Sequence, residues 1–67
     1  MSMTYLSGRE REVLQWAAEG KTARETAYLL GLSESAVNLY SARAMTKLRA
    51  RTKAQAVAIA VRNAILH

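Results

Sequence analysis

The sequence contains no cysteine and no proline. Without thiols, neither disulfides nor thiolate-bound zinc can hold a small fold together, so helix packing or a partner subunit must do so, and a reducing, intracellular setting is expected. Without proline, no helix is interrupted by a missing N–H donor. Glycine occurs only at Gly8, Gly20 and Gly31, each at a plausible break between elements. There is no apolar run of membrane-spanning length and no n-region followed by an h-region, which predicts a cytoplasmic protein with no membrane partner. With 67 residues the chain builds one small domain. A chain of that size cannot both keep a core and enclose a substrate cleft of several hundred cubic ångströms, so no enzymatic activity is expected.

Acids are missing from one half. From Ser35 to His67 there are six Lys or Arg and no Asp or Glu, whereas Met1 to Gly20 carries two Arg against three Glu. The net charge of +5 is therefore concentrated in the second half. A basic half facing a polyanion is the functional reading, and a merely solvated surface is its alternative.

What is present reads as helix throughout. Ser7 with Glu10, Thr22 with Glu25, and Thr52 with Gln55 each place a hydroxyl three residues ahead of a side chain able to reach back, the pattern of a capping box. The first helix is expected from about Gly8 to Glu19, with Val13, Leu14 and Ala17 on one side and Gly20 as a left-handed terminator. The second is expected from about Ala23 to Leu30, stopped by Gly31. Ser33 caps a third helix reaching about Leu48, and a fourth follows the basic link "RART", from Lys53 to Leu66. Trp16 reads as a core or boundary residue. His67 is single and terminal, so no metal site is read, and nothing has nucleophile, acid-base or phosphate-loop spacing. No cofactor is expected.

A short helix, a glycine-containing turn and a long third helix make a helix-turn-helix candidate. Winding Glu34 to Arg49 at 3.6 residues per turn puts Val37, Tyr40, Ala44 and Leu48 on one arc, which must face the first two helices. Ser35, Asn38, Leu39, Ala42, Arg43 and Thr46 occupy the opposite arc. Its first two turns are small or polar, with Lys47 and Arg49 behind them, a face able to enter a major groove and find phosphates at the groove's edges.

The run "LSGREREVLQWAAEGKTARETAYLLGLSESAVNLY", followed by "KL" at Lys47 and Leu48, resembles the DNA-binding domain of LuxR-type transcription regulators. That family's module is an all-α, four-helix helix-turn-helix domain, and the likeness extends from Leu6 to about Leu66. "LQWAAEGKT" and "TKAQAVA" are most similar to the quorum-sensing branch. The resemblance implies sequence-specific binding of double-stranded DNA, with Asn38, Leu39, Ala42 and Arg43 at base edges and Lys21, Thr22, Ser33, Ser35 and Lys47 at phosphates; the phenol of Tyr40, on the partly buried side of the helix, is able to keep the packing and still donate to a phosphate. Two positions depart from the family pattern: Ala36 stands where Thr is usual and Tyr40 where His is usual.

Winding the fourth helix from Lys53 to Leu66 places Ala54, Val57, Ala58, Val61 and Ile65 toward the core and leaves Gln55, Ile59, Arg62 and Leu66 outside. That spacing suits a seam with a second helix. The fourth helix is also the surface the family resemblance implies for dimerisation, so a homodimer on DNA, weak or monomeric when free, is expected. RNA polymerase stays open as a partner, and no small-molecule ligand is expected within this segment. Two other readings are carried: a promoter-binding domain like region four of a sigma factor, and a short helix-turn-helix protein that acts by pairing with a full-length regulator.

Overall fold

The computed structural model describes residues 6–63 and Leu66. The architecture is all-α: α1 spans Gly8–Ala18, α2 Ala23–Leu30, α3 Glu34–Leu48 and α4 Lys53–Arg62.

Each helix begins where a hydroxyl can satisfy an orphan amide. The Ser7 hydroxyl accepts the Glu10 N–H at 3.1 Å, and Glu10 Oε1 accepts the Ser7 N–H at 2.9 Å. Thr22 and Glu25 close the same reciprocal pair at 3.1 and 2.8 Å, and Ser33 accepts from the Ala36 N–H at 3.0 Å. At α4 the expected box forms only in half. Thr52 accepts the Gln55 N–H at 3.0 Å, but the Gln55 side chain takes the N–H of Arg51 at 2.7 Å instead of that of Thr52.

The helix ends show what each stop requires. Gly31 takes a left-handed conformation at φ 68°, and beyond it the Leu32 N–H returns to the Ala27 carbonyl at 2.9 Å. Gly20, at φ 87°, ends the first helical unit in the left-handed region, with α1 closing at Ala18, one residue earlier than the pattern predicts. The end of α3 uses the same geometry without a glycine. Arg49 sits at φ 56°, with the Ala50 N–H bonded to the Met45 carbonyl at 2.9 Å. A side chain in that region crowds its own carbonyl, which glycine would not do. Arg49→Gly is therefore expected to raise stability by about 0.5–1 kcal/mol, the relief of crowding exceeding the extra freedom given to the unfolded chain. For a domain this size that corresponds to a thermal midpoint roughly 2–8 °C higher, readable by circular dichroism.

The core forms two clusters bridged by α1 and α3. Leu6, Leu14, Ala44, Leu48, Ala56, Ala60 and Leu66 make the larger one. Val13, Ala27 and Val37 make the smaller, with Ala23, Leu30, Leu32 and Tyr40 against it. Because α3 contributes Val37 to one cluster and Ala44 and Leu48 to the other, its buried side is held along its whole length. The expected inner arc of Val37, Tyr40, Ala44 and Leu48 is the observed one. Ser41 joins it, buried, its hydroxyl without a hydrogen-bond partner among the described residues. Trp16 is half-buried.

The face of α4 differs from the expectation. Ala56 and Ala60 are fully buried, while Ala54, Ala58 and Val61 are exposed. Ile59, expected on the outer seam, is half-buried against the larger cluster, as is Val57. Leu66, also expected on the seam, is buried in the core. The cause is twofold. Apolar residues surround this helix, so periodicity cannot set its phase, and the packing selects alanines where helices approach most closely. The helix also stops four residues early: Asn63 caps it, its side-chain amide donating to the Ile59 carbonyl at 2.8 Å, and Leu66 folds back with its N–H on the Ala60 carbonyl at 3.4 Å. Gln55 and Arg62 remain exposed. Ile65 and His67 lie outside the described residues.

Candidate nucleic-acid interface

With Val37, Ser41, Ala44 and Leu48 committed to the interior, α3 must turn Ser35, Asn38, Leu39, Ala42, Arg43 and Thr46 outward, and all six are exposed. No acid lies on this arc. Leu39 keeps 48% of its surface open in a polar setting, where contact with an apolar group such as a thymine methyl would be favourable.

The turn of Gly31, Leu32 and Ser33 joins this helix to α2, whose N-terminus carries Lys21 and Thr22, both exposed. Thr22 occupies the Glu25 N–H, and the Thr26 N–H bonds the Thr22 carbonyl at 2.9 Å. The amides of Ala23 and Arg24 have no acceptor within the helix, and the positive dipole end beside Lys21 favours an anion there. The Glu25 carboxyl is held below its ordinary range by the Thr22 N–H first and the Thr22 hydroxyl next, with Lys21 nearby, against a small opposing effect of burial. Ser33 and Ser35 are exposed at the start of α3; Tyr40 is half-buried, its ring packed on the smaller cluster.

Lys47 stands apart. Its ammonium lies 2.8 Å from Glu10 Oε1, tying the last turn of α3 to the first turn of α1. The carboxylate is almost fully buried, while 34% of the lysine side chain is exposed. Burial pushes the Glu10 carboxyl up, but the hydrogen bond from Lys47, the Ser7 N–H, the lysine's charge and the Ser7 hydroxyl together hold it below its ordinary value of 4.5. Glu10 thus ionises more readily folded than unfolded. Its contribution to stability is complete above 4.5 and disappears as the pH falls through the lower folded value. Urea midpoints measured into the acid range should decline accordingly, and Glu10→Gln should flatten part of that decline, Glu25 accounting for another part.

The sequence reading treats Glu10 only as a helix cap and misses this pair. The signal was available. Glu10 lies on the same side of α1 as Val13, Leu14 and Ala17, and a carboxylate on an inward face requires a partner. Also missed are Tyr28 and Leu29, 87% and 46% exposed, which line an open groove on α2 with Lys21, Arg24 and Glu25. A second groove, between α1 and α3, is lined by Glu10, Ala42, Arg43, Thr46 and Lys47.

A three-residue turn between two helices, with the second presenting a solvent-facing arc free of acids, is the geometry of a helix-turn-helix. Residues 4–60 match the family described as "Bacterial regulatory proteins, luxR family", and the chain belongs to it. It is 44% identical over 57 residues to the transcriptional activator protein AnoR of Acinetobacter nosocomialis, covering 85% of this chain and 24% of that protein. To the HTH-type quorum-sensing regulator RhlR of Pseudomonas aeruginosa it is 47% identical over 55 residues, covering 82% of this chain and 23% of that one. The chain thus spans about a quarter of the length of the curated relatives it matches. A solved structure of the transcription factor GerE superposes with a TM-score of 0.89 at 27% identity, over 100% of this chain and 97% of that one. Among the described residues no helix is long and apolar enough to cross a membrane.

Proposed function

We propose that this domain binds duplex DNA sequence-specifically, with α3 in the major groove, as the DNA-binding part of a quorum-sensing type of transcription regulator. The observation that carries this reading is the exposed, acid-free arc of α3, whose opposite side is held in the core at both ends. Asn38, Leu39, Ala42 and Arg43 meet base edges. Lys21, Thr22, Ser33, Ser35, Tyr40 and Lys47 meet phosphates around them. AnoR is named a transcriptional activator, and for an activator RNA polymerase stands as a further partner.

One such helix reads only a few base pairs, so useful specificity calls for two copies. Dimerisation is assigned to α4 as expected from the family resemblance, but through the face left open by the core: Ala54, Ala58 and Val61, flanked by Gln55 and Arg62. The sigma-factor reading loses ground because Ala56 and Ala60 make α4 part of the core rather than an appendage.

Selection of bound sequences from a random duplex pool tests the proposal. A recurrent, partly palindromic site supports it. Absence of enrichment, with no binding to duplex at low salt, would favour a chain that pairs with a full-length regulator instead.

A further inference from the structure

A single oxygen, Glu10 Oε1, accepts both the Ser7 N–H at 2.9 Å and the Lys47 ammonium at 2.8 Å. The first contact fixes the carboxylate to the start of α1. The second fixes the lysine to the carboxylate. Glu10 is 3% exposed, so it offers little surface of its own to a ligand, whereas the lysine keeps a third of its side chain open. Around the pair lies the groove between α1 and α3, where Ala42 and Thr46, small and exposed, leave room for a backbone to approach beside Arg43 and Lys47.

We propose that Glu10 is a positioning residue: it holds Lys47 for the backbone phosphate already assigned to that lysine, seated in this groove. This rests on the reading that α3 enters the major groove. A lysine surrenders rotamer freedom when it binds a phosphate, and one already held by a buried carboxylate surrenders less. The carboxylate's charge opposes the phosphate only weakly, because it is met at contact distance by the ammonium it holds. Glu10 therefore touches no nucleic acid. It sets where the ammonium stands at the far end of the reading helix, and so fixes the register of α3 along the groove.

The test is a double-mutant cycle on the purified chain with its selected duplex, using Glu10→Gln, Lys47→Met and the pair together. Glu10→Gln should weaken binding by about three- to tenfold, and the double variant should bind no more weakly than Lys47→Met alone. A duplex scanned with one neutral methylphosphonate at a time should show one position whose substitution weakens the wild-type chain much more than either single variant. A merely structural role for Glu10 would not move that pattern. Equal or tighter binding by Glu10→Gln, or additive losses in the double variant, would overturn the proposal. Should Glu10→Gln fail to fold, the wild-type chain decides: the Lys47 ammonium should be more ordered by NMR than those of Lys21 and Lys53 before DNA is added, and equal disorder would overturn it. Failure of the wild-type chain to bind any duplex would overturn the underlying reading instead.

Discussion

Asn38→Ala is expected to cost about 1–3 kcal/mol of binding free energy on the preferred site and to relax selectivity at one base pair, leaving binding to unrelated duplex nearly unchanged. The argument begins with helix phase. Val37 is 1% exposed and Ala44 is fully buried, which places Asn38 in the outward arc and leaves its amide in solvent. A carboxamide can both donate to and accept from the major-groove edge of adenine, so its loss leaves that base unread while the cations nearby continue to hold the backbone. Fold stability should not change, since Asn38 contributes nothing to either core cluster. Affinities measured over a set of duplexes carrying each base at each position provide the check. Equal weakening across the set would place Asn38 on the backbone and shift the register of α3.

Val61→Glu is expected to abolish cooperative loading of two copies on a paired site while sparing weak binding to one half-site. Val61 is 49% exposed and stands with Ala54 and Ala58 on the open side of α4. An isologous contact would bring the two Val61 side chains into one apolar seam, worth roughly 1.5–3 kcal/mol for each if fully buried, before the entropy of association is subtracted. So small a seam holds a dimer poorly in free solution. On a duplex with half-site centres about 10 base pairs apart, both copies are already close and the same contact suffices. Two glutamates brought face to face there repel and must be desolvated. Sedimentation with and without duplex should show monomer in both free forms and a two-to-one complex only for the wild type. Continued cooperative loading by Val61→Glu would place the seam elsewhere. Ile59→Glu is not an equivalent test, because Ile59 packs against the larger cluster and its replacement is expected to lower fold stability instead.

Local patterns announced most of this molecule. Ser7, Thr22 and Ser33 mark helix starts because the chemistry of a cap is contained within four residues, and Gly20 and Gly31 mark stops because a left-handed residue is needed there. The outward arc of α3 was legible from helical winding: with Val37, Tyr40, Ala44 and Leu48 on one arc, Ser35, Asn38, Ala42, Arg43 and Thr46 fall opposite, with Leu39 the one large apolar residue among them.

Long-range partnership was not legible in that way. In α4, alanine and valine occur all round the helix, and only the approach of the other helices selects Ala56 and Ala60 for the interior and sends Ala54, Ala58 and Val61 outward. Leu66 is core although α4 ends at Arg62, its N–H on the Ala60 carbonyl, a placement that continued helical winding cannot foresee. The Glu10–Lys47 pair joins residues 37 positions apart. The sequence by itself determined four helices, the hydroxyl caps at their starts and an acid-free outward face on α3, since each follows from interactions within a turn or two of chain. The tertiary structure alone decided the phase of α4 and the partner of Lys47, since both depend on which surfaces meet once the helices pack.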